Sequence, residues 1–200
     1  SGIQTFHDVR VGGALTVAGS LTYEDTTNTN TTGIANTAVG KSALTNSTTA
    51  NNNAAFGYHA LNANTTGTTN TAVGSSALLA NTTGSSNIAI GSYALDANTT
   101  GGNNTAIGRS ALSANIDGSS NVAVGRIALN ALTSGSQNVA VGSEALEKFT
   151  TGNSNTAVGY QALEECTTGT KNVAVGANAL DANTTAIQNT AVGNGALGAN

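Results

Sequence analysis

Carboxylates are scarce in this chain, so where they line up matters. Glu147, Glu164 and Asp181 occupy the same place in three successive copies of a seventeen-residue unit. Stacked copies put them in one column. Aligned carboxylates are hard oxygen ligands of the kind a Ca²⁺ ion takes, which makes Glu147, Glu164 and Asp181 the candidate metal site. Paired carboxylates also serve acid–base catalysis. Against both, the dedicated calcium repeats of β-rolls hold Asp at fixed places, and Asp is rare here. A solvated acidic stripe is the plainer reading, with no cofactor and no dedicated metal. The two histidines, His7 and His59, lie in different regions with no nucleophile arranged beside them. No catalytic residue is assigned, and the protein is read as a non-enzyme. Tyr58, His59, Tyr93 and Tyr160 fall at variable places of the unit. They form the candidate adhesion surface, because rings stack on sugars or anchor a protein partner.

The unit that positions these groups reads N-x-A-[V/I/F]-G-x-x-A-L, commonly followed by x-A-N-T-T-G-x-x. Its Asn recurs without insertion or deletion at Asn36, Asn53, Asn70, Asn87, Asn104, Asn121, Asn138, Asn155, Asn172 and Asn189. A unit this short cannot bury a core alone and must stack on its neighbours. Numbered from the Asn, positions 2 to 4 read as a short strand and the Gly at position 5 as a bend. Positions 8 and 9 lie on a second segment, either a strand or one helical turn; residues 144–148 favour helix by propensity. Asn-Thr-Thr-Gly at positions 12 to 15 is turn chemistry. Helical repeats are excluded, because Gly at positions 5 and 15 would break helices this short. The expectation is an all-β parallel solenoid of ten coils about 4.8 Å apart. The position-1 amides would hydrogen-bond up and down the stack.

Charge occurs at positions 6, 7, 10, 11, 14 and 17 of the units and never at positions 1 to 5, 8 or 9. Alternate strand residues point to opposite faces, and a strand uncharged on both is buried on both. The position-4 residues and the Leu at position 9 are therefore expected to fill the coil, as Val39, Leu44, Val73, Leu78, Val124, Leu129, Val158 and Leu163. The position-3 alanines are expected to face identical chains, as Ala38, Ala55, Ala72, Ala89, Ala106, Ala123, Ala140, Ala157, Ala174 and Ala191. The simplest such assembly is a homotrimer about a three-fold axis.

Composition agrees with a stacked β structure. Only 8% of residues are charged and none is Pro, as suits a chain whose backbone N–H groups are wanted by ladders. The net charge of −4 argues against nucleic acid, which needs a basic stripe. No apolar run reaches membrane-spanning length. Cys166 stands where other units have Asn and reads as a tolerated replacement. Residues 1–33 differ from the rest: residues 6–11 and 14–22 alternate with period two, which predicts an N-terminal β shaft or cap and linker before the roll of residues 34–200.

N-T-A-V-G, N-V-A-V-G and N-I-A-I-G, at residues 70–74, 121–125 and 87–91, resemble the head repeats of YadA-type trimeric autotransporter adhesins. The longer N-T-A-V-G-Y-Q-A-L of residues 155–163, followed by T-T-G at 167–169, resembles repeats of bacteriophage fibre and virion proteins, and residues 9–22 are similar to segments of cyanophage virion proteins. The resemblance implies a left-handed β-roll assembled as a trimer, although seventeen residues exceed the usual adhesin head repeat. It implies a fibre on the virion surface, in contact with other virion proteins and adhering to a host glycan or protein. The alternative is a bacterial adhesin head on the cell surface. A third reading, an ice-binding solenoid, rests on the Thr pairs at positions 13 and 14.

Overall fold

The computed structural model describes residues 33–185 and 187–198. Each unit contributes one three-residue strand: β1 (Thr37–Val39), β2 (Ala54–Phe56), β3 (Thr71–Val73), β4 (Ile88–Ile90), β5 (Thr105–Ile107), β6 (Val122–Val124), β7 (Val139–Val141), β8 (Thr156–Val158), β9 (Val173–Val175) and β10 (Thr190–Val192). The strands pair in chain order, all parallel, with equivalent residues opposite: Ala123 lies against Ala106 on one side and Ala140 on the other. The chain is a parallel β-solenoid, roughly 45 Å long at the usual strand spacing. The shaft or cap expected in residues 1–33 lies outside the described residues, Gly33 excepted.

The wall opposite the sheet is neither strand nor helix. The residues at positions 7 and 9 have positive φ, as at Ser76 (57°) and Leu78 (52°). Alternate residues then bond in different directions. Ser76 N–H donates to Tyr58 O of the preceding coil at 2.8 Å, Leu78 N–H donates to Ala94 O of the following coil at 3.0 Å, and Ala77 N–H closes a turn on Gly74 O at 3.4 Å. Left-handed backbone costs an ordinary residue about 1–2 kcal/mol. Burying a Leu side chain returns about 1.5–3 kcal/mol, and the rung to the next coil satisfies the Leu N–H. Burial therefore wins at position 9, which is Leu in every unit. The helical propensity of residues 144–148 is overridden by the same rungs.

Alanine, leucine and asparagine fill the interior. The alanines of positions 3 and 8 and the leucine of position 9 are buried along the stack. At position 1, Asn87 is typical. Its Nδ2 donates to Gly101 O at 2.9 Å, and its Oδ1 accepts from the backbone N–H of Asn104 at 3.0 Å. A second ladder runs at position 12, where Asn81, Asn98 and Asn115 each donate to the amide oxygen one coil earlier at 2.8, 2.8 and 2.9 Å. It stops where Leu132, Phe149 and Cys166 take over that position. Asn115 Oδ1 is left buried without a partner. The corner changes with it: Thr151 forms parallel bridges with Ser134 and Thr168, and Gly135 and Gly152 adopt φ of 140° and 138°. A Cβ on Gly152 would lie 2.7 Å from Phe149 Cζ, so the glycine makes room for the ring.

Candidate functional surface

The strand burial is the reverse of the sequence expectation. Ala38, Ala55, Ala72, Ala89, Ala106, Ala123, Ala140, Ala157, Ala174 and Ala191 are buried inside their own coil and do not form an outer surface. Val39 and Val73 point outward, 45% and 38% exposed, and Val124 and Val158 are half-buried on the same outer face. Leu44, Leu78, Leu129 and Leu163 are buried. The reason is space. The coil is thin at the sheet, and Leu reaches across from the opposite wall, leaving room for a methyl at position 3 and no more. The cue was present in the sequence: position 3 is Ala in all ten units, whereas position 4 varies from Val to Phe. A close-packed interior does not tolerate such changes in volume.

Positions 2 and 4 together therefore make an outward sheet face of two columns. Position 4 is Val, Ile or Phe in every coil, and position 2 is Thr, Val, Ile or Ala. Neither column holds a charge. With position-4 side chains mostly about two fifths exposed and position-2 side chains mostly less, the two columns offer on the order of 1,000 Å², apolar at position 4 and mixed with Thr at position 2, against roughly 800 Å² per partner in a standard interface. Alternation along the strand puts position 2 on the same face as position 4, and that face, expected inside the coil, points outward. The bulky Phe56 of position 4 shares its strand with Ala54, and Ala occurs at position 2 in no other strand. Large and small are thus balanced on one level of the face. Along one margin, at position 6, lie the cations Lys41, Arg109 and Arg126.

The acidic residues sit away from this face. Among the described residues, the three carboxylates that approach within 4.8 Å of one another are Glu144, Glu147 and Glu164, so Glu144 takes the place expected for Asp181. Cations already engage the group. Arg126 pairs with Glu144, Lys148 pairs with Glu165, and Lys148 lies 3.8 Å from Glu164. Partial burial pushes the Glu164 carboxyl above its ordinary range, opposed by the Lys148 charge. The Lys148 ammonium is held above its own range, chiefly by its hydrogen bond to Glu165. This is an inter-coil salt network. One oxygen of Asp181 is buried without a partner, apart from the cluster.

Of the four expected adhesion residues, two are in contact and a third lies in the same column. Tyr58 and His59 share a coil with ring centroids 4.0 Å apart, and Tyr93 stands in the His59 column two coils further on. Tyr160 is six coils from Tyr58, beside Glu144, and its hydroxyl is pushed above its ordinary range by desolvation and by that carboxylate. Cys166 is fully buried next to Phe149 in the position-12 column.

Fold and surface define the class: a repeat-built parallel β-solenoid with a charge-free apolar sheet face along its length. No family model, curated protein or solved structure matches the chain.

Proposed function

We propose that the chain is a structural rod that packs side by side with identical copies through its sheet face, most simply as a parallel trimer. The observation that carries this is the charge-free sheet face, whose position-4 column is Val, Ile or Phe in every coil. Monomeric soluble proteins rarely expose a contiguous apolar patch larger than a few hundred Å², and this one runs the whole stack. The pairing of Phe56 with Ala54 supports a covered, in-register face, because balanced volume on one level matters only where something packs against it. Parallel association about a closed axis covers every copy's face equally. The resemblance of the repeats to phage fibre and virion proteins extends the reading to a fibre, left-handed and preceded by a shaft or cap, that projects from a virion and adheres to a host surface. A bacterial adhesin head is the alternative setting for the same rod.

Light scattering at micromolar concentration tests the assembly. The expected particle has about three times the 19.5 kDa chain mass; a folded particle of one chain overturns the rod reading. The ice-binding alternative moves to the sheet face, where Thr37, Thr71, Thr105, Thr156 and Thr190 share one column. Thermal hysteresis in the purified protein would favour it.

A further inference from the structure

Three rings crowd one stretch of the position 6–7 corner. Tyr58 and Tyr93 are 52% and 47% exposed, and His59 packs against Tyr58. His59 and Tyr93 are two coils apart in one column, roughly 10 Å along the rod. Ser76 lies between them and is only 8% exposed, whereas Ser42 and Ser110 at the same position elsewhere are half-buried. Ser76 is thus the most enclosed serine of this column, with a ring-bearing residue one coil away on either side.

We infer that this corner is a stacking platform for a neutral oligosaccharide laid along the rod axis. The inference rests on the adhesion part of the reading above and not on the number of chains in the rod. Ring faces hold the C–H faces of sugars by apolar contact while hydroxyls fix orientation, and Ser75 and Ser92 supply hydroxyls beside the rings. Residues 53–86 hold no Asp, Glu, Lys or Arg. Lys41 stands one coil before Tyr58 and Arg109 one coil after Tyr93, at the two ends of the platform, and Asp96 sits at position 10, beyond the Leu turn. The span between the two cations suits a neutral ligand.

A peptide adding as a strand has no free edge here. The N–H groups of His59, Ser76 and Tyr93 donate to Lys41 O, Tyr58 O and Ser75 O at 2.9, 2.8 and 3.0 Å. Those rungs hold φ at 57°, 57° and 59°, so the rings stand on a fixed backbone. The spacing between His59 and Tyr93 is on the scale of one disaccharide, which lets alternate sugars of a chain meet a ring.

The full chain is tested against maltohexaose, cellohexaose and N-acetylchitohexaose by saturation-transfer NMR and tyrosine fluorescence. The chain has no Trp and four Tyr, so the fluorescence is that of tyrosine and the Tyr58 and Tyr93 variants assign the change to the platform. At least one sugar is expected to bind saturably. Tyr58→Ala and Tyr93→Ala should each weaken that binding about tenfold, the loss of one stacking contact, while Tyr58→Phe retains it. An assembled rod that binds none of the three sugars overturns the inference, as does binding that survives the double alanine variant. Light scattering on the same samples separates the two readings: a single chain that still binds sugar contradicts only the rod. If the double variant adheres to host cells as well as the parent does, adhesion runs through another surface and the inference fails.

Discussion

Asn87 does two jobs that no side chain of similar size can combine. Its amide donates to Gly101 O and accepts from the N–H of Asn104. Leu has neither group, and Asp has no donor and brings a charge. Asn87→Ala leaves the buried Asn104 N–H without a partner, while Gly101 O keeps its second donor, Asn98 Nδ2 at 3.0 Å; one orphaned buried group costs about 1–3 kcal/mol. A loss of roughly 2 kcal/mol in denaturant unfolding is the expected outcome. An unchanged midpoint would mean that water replaces the amide. Asp96 behaves differently. Burial pushes its carboxyl above the ordinary range, partly offset by hydrogen bonds from the backbone of Asp96 and Ala97. The folded state therefore holds the Asp96 proton more tightly than the unfolded chain does. Stability falls as pH rises from the ordinary Asp range through the raised value. Asp96→Asn should raise the melting temperature at pH 7, with the gain shrinking on acidification through that window. A gain that is constant with pH would rule out titration as its source.

At the scale of the coil, the bend after each strand depends on glycine. Gly74 has φ of 134°, and a Cβ there would lie 2.6 Å from Gly91 O. Strain of about 1–3 kcal/mol adds to that backbone clash, so Gly74→Ala should cost 3 kcal/mol or more and shift the circular dichroism melt downward. The period, the strand at positions 2 to 4, the Gly bend and the position-1 ladder could all be read in the sequence, because each is a local property repeated ten times. The facing of the strand could not be read from charge. Both sides are uncharged, one because it is interior and the other because it is an apolar outer face. Residue size held the answer at Ala123 and Val124: the invariant small residue is the enclosed one. The Leu turn escaped prediction for another reason. Positive φ at Leu is unfavourable locally and is stabilised by rungs to other coils, which no propensity scale contains. The corner change at Leu132, Phe149 and Cys166 is visible in the sequence as a departure from Asn, but its backbone consequence is not.

For the whole molecule, two adjacent residues give opposite tests. Ala140 is enclosed, and Val141 beside it points outward. Ala140→Glu places an unpaired carboxylate in the interior at about 3–5 kcal/mol, and the solenoid should lose its β signal in circular dichroism. Val141→Glu, with Val175→Glu to reinforce it, should leave that signal intact while light scattering falls to the mass of one chain. An assembly that survives the outer pair would show that the sheet face is not what joins the copies.

Coil upon coil in constant register gives the rod the properties of a ruler. Seventeen residues added or removed as a block move everything beyond them by one graduation, about 4.8 Å, and change neither girth nor the lateral surface. Reach is thus encoded as a whole number. Near-identical DNA repeats that misalign during copying would lengthen or shorten the object in discrete steps, each one still able to fold.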